Sequence, residues 1–306
     1  MRRPVLALIV LAACSGGSDP DSAWSEMQPM GVARSEHPAA LLADEVIVVG
    51  GLIERGPGRI GATASVEAYD PFEDTWRVLP DLPVPRHHLM AAVVDGRLFV
   101  LGGFSESGFD AVSTVWELVG DAWEVRAALP VPLGAAAAVT LDGVVYVVGG
   151  APVGGLYRYD PGSDVWASLR APSHDREHLA AVAFGGEVWA LGGRWQGEMF
   201  SSTEVHDPET DSWRPGPSLN EARSGFGATV AGETIVVAGG EVFDPDRALV
   251  SVEILGEGEW EVGDRLPFGL HGNPLAFVSG ALYVPGGSTR AGGVENPGTM
   301  LSLRAG

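Results

Sequence analysis

The stretch Leu98-Phe99-Val100-Leu101-Gly102-Gly103, a short apolar run that stops on a glycine pair, decides how the chain folds. It recurs six times, with pairs at Gly50-Gly51, Gly102-Gly103, Gly149-Gly150, Gly192-Gly193, Gly239-Gly240 and Gly286-Gly287, at steps of 52, 47, 43, 47 and 47 residues. A second series runs in phase: Trp24, Trp76, Trp123, Trp166, Trp213 and Trp260 each lie 26 residues before the first glycine of a pair. Because that offset never varies, all length variation falls between a glycine pair and the next tryptophan. A period of this size belongs to stacked supersecondary units, and four-stranded propeller blades fit it best.

Within the second unit, Leu89 to Val94 reads as a strand, Asp95-Gly96 as a tight hairpin turn and Arg97 to Leu101 as the returning strand. A variable loop follows from Phe104 to Ala111, then a strand from Ser113 to Val119 and a last one around Trp123. Three units turn into their fourth strand through Asp-Pro, at Asp70-Pro71, Asp160-Pro161 and Asp207-Pro208. There the carboxylate bonds to the backbone ahead and proline pre-sets the next φ. The glycine pairs are read as points of close backbone approach and the indoles as fillers between blades, not as nucleotide-binding or cofactor motifs.

The run Val144 to Gly150, then Tyr159-Asp160-Pro161 and Trp166, resembles the kelch repeat, and Ser65 to Pro71 with Trp76 matches it more fully. On that alignment the tyrosine position becomes Trp116 in the second unit and His206 in the fourth. The resemblance covers everything from Trp24 onward and implies an all-β, six-bladed kelch-type β-propeller with four-stranded blades over residues 23–306. The chain opens with a lone tryptophan strand, Ala23 to Met27, and ends after a third strand, Thr299 to Leu303. The last blade is therefore expected to be closed by the N-terminal strand, as the resemblance also implies.

The first residues read as an export signal. Met1-Arg2-Arg3 carries positive charge, Val5 to Ala13 is too short to span a bilayer, and Leu11-Ala12-Ala13-Cys14 resembles a bacterial lipobox. The expected layout is a signal peptide at 1–13 and a lipidated Cys14 with its tether at 14–22, with Ser15 favouring the outer membrane. Cys14 is the only cysteine, so the mature domain has no thiol or disulfide chemistry. The copper radical oxidases that share this type of propeller need a tyrosine–cysteine crosslink and are thereby set aside. A net charge of −21 argues against nucleic acid and anionic membrane surfaces, leaving the lipid as the membrane contact. All 19 basic residues are arginine, which excludes lysine chemistry.

Sixteen residues before each first glycine stand Arg34, Arg86, Leu133, Arg176, Arg223 and Leu270, in the segments entering the innermost strands. One reading has the four arginines ringing a mouth of the central channel with His88, His178 and His271, a site for a carboxylate such as an acidic sugar. The other makes them recurring scaffold residues bonded to loop carbonyls and neighbouring acids. No metal or cofactor is expected. In His174-Asp175-Arg176-Glu177-His178 the i, i+4 spacing needs a helix that this loop does not supply, and His87 and His88, adjacent on a strand edge, should diverge.

The expected function is a monomeric, non-catalytic scaffold, lipid-anchored in the cell envelope. It would present loops Leu52 to Ala64, Arg194 to Ser201, Glu241 to Leu249 and Ser288 to Pro297 to a protein or acidic carbohydrate partner. The alternative is a sugar-active enzyme resembling the periplasmic kelch mutarotases of sialic acid.

Overall fold

The computed structural model describes residues 23–106 and 108–304. The expected signal peptide, Cys14 and the expected tether therefore lie outside the described residues. Within them the regular structure is all strand, organised as six four-stranded antiparallel sheets with small two-stranded sheets beside them. The first blade runs Ala39–Leu42, Glu45–Val49, Val66–Asp70 and Thr75–Leu79 from the axis outward. The next four blades repeat it.

Blade six joins the two ends of the chain. Ala276–Val278, Ala281–Pro285 and Met300–Arg304 are completed on the outside by Ser25–Met27, which pairs antiparallel with register Ser25↔Ser302, Glu26↔Leu301 and Met27↔Met300. This is the closure read from the incomplete blades at the two ends, and it removes the open edge that a linear sheet array would expose.

The core is a ring of layers between neighbouring blades, not a single centre. Phe99 and Leu101 of blade two pack with Val145, Val147 and Tyr159 of blade three. Equivalent layers join blades four and five, five and six, one and two, six and one, and three and four. The tryptophans fasten these layers together. Each indole N–H donates to a carbonyl in the segment leaving the preceding blade: Trp76 to Gln28, Trp123 to Pro80, Trp166 to Ala127, Trp213 to Arg170 and Trp260 to Pro217, at 2.7–3.0 Å. Trp24 does the same across the closure, to Asp264 at 2.9 Å.

The glycine pairs stand where the second strand ends and meets the next blade. Gly102 and Gly103 have φ of 57° and 92°. A Cβ on Gly102 would lie 2.4 Å from the Leu133 carbonyl oxygen, so both the handedness and the contact require glycine.

In the Asp-Pro turns the leading carboxylate accepts from the backbone ahead, as from Phe72 N and Gly162 N at 2.8 Å. The residue opposite the tryptophan holds the closing aspartate: Tyr69 with Asp74, Tyr159 with Asp164, His206 with Asp211. One alignment needs correction. Trp123 faces Leu118, not Trp116, so Leu118 takes the tyrosine position in blade two. The short Gly120-Asp121 turn removes residues that the other blades have, and it displaced the count.

Candidate functional site: the loop-side mouth of the channel

Each variable loop folds back against the segment that enters an inner strand. The bridges Ser35↔Leu52, Gly134↔Ala151, Glu177↔Arg194, Ser224↔Glu241 and His271↔Ser288, with the pairing of His87 and Phe104, repeat this in all six units. All the variable loops consequently surround one mouth of the channel. The mouth opens on a cavity of 180 Å³ lined by Glu36, His88 and His178 and by the small apolar residues Ala39, Ala91, Ala138, Ala181 and Ala228. Polar chemistry is concentrated at the mouth.

The arginines do not line it. Arg34, Arg176 and Arg223 are 0% exposed. In each, Nη1 donates to the carbonyl of the first glycine of its pair (Gly50, Gly192 and Gly239) and to that of a serine (Ser65, Ser202 and Ser251), at 2.7–3.1 Å. Nη2 reaches the serine hydroxyl and a buried carboxylate: Glu67, Glu204 or Glu253. The glycine carbonyl at the end of the ladder takes its donor from the guanidinium, while the serine carbonyl, which already accepts from the glycine N–H, gains a second. Burial pushes these guanidinium pKa values down, while the glutamates oppose the shift.

Arg86 departs from the set. It is half-buried, donates to the Pro85 carbonyl at 3.0 Å and stacks 5.8 Å from the ring of Trp116, which occupies the glutamate position in blade two. Blades three and six have apolar pairs at these places, Leu133 with Tyr157 and Leu270 with Leu301. The arginine-ringed carboxylate site is thus corrected to the scaffold reading: the side chains point into the blades.

Two residues beyond each of these positions the six backbones close a ring. Glu36 N donates to Gly272 O, His88 N to Glu36 O, Ala135 N to His88 O, His178 N to Ala135 O, Gly225 N to His178 O and Gly272 N to Gly225 O, at 2.6–2.9 Å. All six residues are left-handed, with φ between 49° and 60°.

Above the ring the side chains form one continuous network. His88 Nε2 lies 3.2 Å from Glu36 Oε2, and His271 Nδ1 lies 3.3 Å from both Glu36 Oε1 and Glu241 Oε2. Arg194 bonds Glu241 at 2.7 Å and Glu177 at 3.0 Å, and its Nη2 is 3.3 Å from His178 Nε2. His87 and His88 do not diverge. Their Nδ1 atoms are 2.5 Å apart, because the left-handed φ of 51° at His88 turns its side chain back toward its neighbour. Phe109 packs edge-on against both rings.

Burial would raise the Glu36 carboxyl, but His88, His271 and His178 outweigh it and hold it well below the usual range. Burial pushes His88 well down. At His271 burial opposes charge, yet the hydrogen bond and charge of Glu36, with Glu241, raise it to about 9. Glu177, despite burial, is held at about 2 by His178 and Arg194. Of the expected site residues, His88, His178 and His271 come together here, whereas Arg34, Arg86, Arg176 and Arg223 do not join them. Glu36, Glu177, Arg194 and Glu241 are the members that sequence reasoning missed. Glu36 was accessible as the ring position counted from Arg34; the others required knowledge of loop pairing.

The Kelch motif family model matches residues 33–83 and 175–220. The chain is 31% identical over 217 residues to mouse Kelch-like protein 35, covering 67% of this chain and 35% of that protein. It is 26% identical to the Kelch-like protein terF of Aspergillus terreus, covering 86% of this chain and 63% of that protein. The chain thus spans less than two thirds of the length of these curated relatives. The solved structure of YjhT superposes with a TM-score of 0.76 at 17% identity, over 90% of this chain and 96% of that one. Six in-phase units, the closed ring of six blades and the motif matches together make the chain a kelch-repeat β-propeller.

Proposed function

We propose that the protein is a lipid-anchored interaction scaffold of the bacterial cell envelope that binds a protein partner with its loop face. The observation that carries this is the convergence of every variable loop on one mouth. Those loops bring Ile60, Phe109, Val153 and Phe243, all exposed, to the same face. Large apolar side chains exposed together on one face suit recognition of another protein surface. Kelch propellers generally mediate protein interactions, which agrees with it. The acidic-sugar alternative loses the arginine ring on which it rested. Anchoring rests on the Leu11-Ala12-Ala13-Cys14 motif, with Ser15 pointing to the outer membrane.

Both parts are tested on full-length protein extracted from membranes. Cys14→Ser is expected to abolish fatty-acid labelling and release the protein from the membrane fraction; a labelled, membrane-bound variant contradicts the anchor. Wild type is expected to migrate as a complex larger than its own mass. Combined Phe109→Ser and Phe243→Ser should reduce it to the monomer, while Val125→Ser and Val262→Ser on the exposed outer strands should leave it intact. Survival of the complex in the loop variant contradicts the scaffold reading.

A further inference from the structure

We infer that Glu36, His88 and His178 form a binding site for a divalent transition-metal ion of the zinc class on the propeller axis. Their candidate ligand atoms all lie within 4.8 Å of one another, with both imidazoles buried. Each residue comes from the same ring position of a different blade, so the cyclic backbone hydrogen bonds fix their spacing. Ligand atoms around a tetrahedral zinc with bonds of about 2.1 Å stand about 3.4 Å apart. Modest side-chain rotation closes the difference.

Proton placement points the same way. His87 Nε2 lies 3.0 Å from the Gly108 carbonyl, an acceptor, and so carries a hydrogen. The Nδ1 of a neutral His87 then accepts from His88 Nδ1, 2.5 Å away. Neutral His88 is left with its lone pair on Nε2, 3.2 Å from a Glu36 oxygen. Two electron-pair donors facing each other in a buried place are stabilised by a shared cation, a proton in the empty site and a metal ion in the loaded one.

The surroundings supply an outer layer for such an ion. Glu177 Oε1 is 3.5 Å from His178 Nδ1, placed to shorten into the carboxylate–imidazole contact that orients a ligating histidine through its other nitrogen. Arg194, now 3.3 Å from His178 Nε2, would give up that contact and keep its bonds to Glu177 and Glu241. His271 Nε2 lies 2.7 Å from the Arg290 carbonyl and its Nδ1 3.3 Å from each of two carboxylates, surroundings that favour the imidazolium. Glu36, Glu177 and Glu241 against Arg194 and His271 leave the cluster with a formal surplus of negative charge. Two imidazoles and one carboxylate favour zinc or cobalt over calcium or magnesium, which take oxygen ligands. Three protein ligands leave a position for water or a small anion.

The test uses Zn²⁺ and Co²⁺ as probes on chelator-treated full-length protein. One equivalent of metal by elemental analysis is expected, and Co²⁺ should give visible d–d absorption of low-coordinate nitrogen–oxygen ligation. His88→Asn and His178→Asn accept the left-handed backbone and should weaken binding by at least about a hundredfold. His174→Asn, at an exposed position, should bind as wild type does. Glu36→Gln, nearly isosteric, carries the test if either asparagine variant fails to fold. Absence of stoichiometric Zn²⁺ binding, tighter binding of Ca²⁺ than of Zn²⁺, or folded variants with wild-type affinity would overturn the assignment.

Discussion

Removing residues 22–30 is expected to lower the melting temperature by roughly 10 °C or more, or to prevent folding altogether. The deletion takes away the outer strand of blade six and exposes the edge of Met300–Arg304. It also removes Trp24 and Met30, each 6% exposed, together with the bonds from Trp24 to Asp264 and from Met30 N to Gly298 O. Loss of a buried tryptophan alone costs about 3–5 kcal/mol. Scanning calorimetry separates this from a local effect, because in a ring the loss at one joint leaves two blade faces without partners. Trp24→Ala, which retains the strand, should show a smaller drop. A truncated protein that melts with the intact one would refute closure by this strand.

The second large effect is expected at the buried arginines. Arg223→Ala leaves Glu253 buried without its cation and the Gly239 carbonyl without the guanidinium donor, while Ser251 O keeps only its bond from Gly239 N. Such a change costs about 3–5 kcal/mol. The molecule itself supplies the compensated alternative, since blade six uses Leu270 with Leu301 where blade five uses Arg223 with Glu253. The double variant Arg223→Leu with Glu253→Leu should therefore recover most of the loss. Denaturant unfolding of the two single variants and the double reads the coupling directly. Additive losses would mean that the pair does not act as a unit.

The fold was legible because the constant 26-residue distance from tryptophan to glycine pair is set by strand pairing and by the contact between blades. Insertions are tolerated only outside that frame. Closure was legible for the same reason, as both ends lacked complementary strands.

The arginines were found by position with two directions left open, since a column of a repeat does not say whether a side chain points to the axis or into the blade. A usable signal was present nonetheless. The units with Arg34, Arg176 and Arg223 carry Glu67, Glu204 and Glu253, whereas those with Leu133 and Leu270 carry Tyr157 and Leu301. Pairing inside the repeat marks a contact within the blade. The mouth network was less readable, because Glu177, Arg194 and Glu241 meet through pairing between loops and entering segments. His87 and His88 escaped because adjacency implies divergence only in an extended backbone, and His88 has φ of 51°.

Whether the variable loops form the working face is read by site-specific photo-crosslinking of the full-length protein in intact cells. A photoreactive residue is placed in turn at Ile60, Phe109 and Phe243 on the loop face, and at Val78, Val125 and Val262 on the outer strands. A discrete protein adduct is expected from the loop positions and none from the strand positions. The same adduct from the outer strands, with the loop positions silent, would contradict a working face made of the loops.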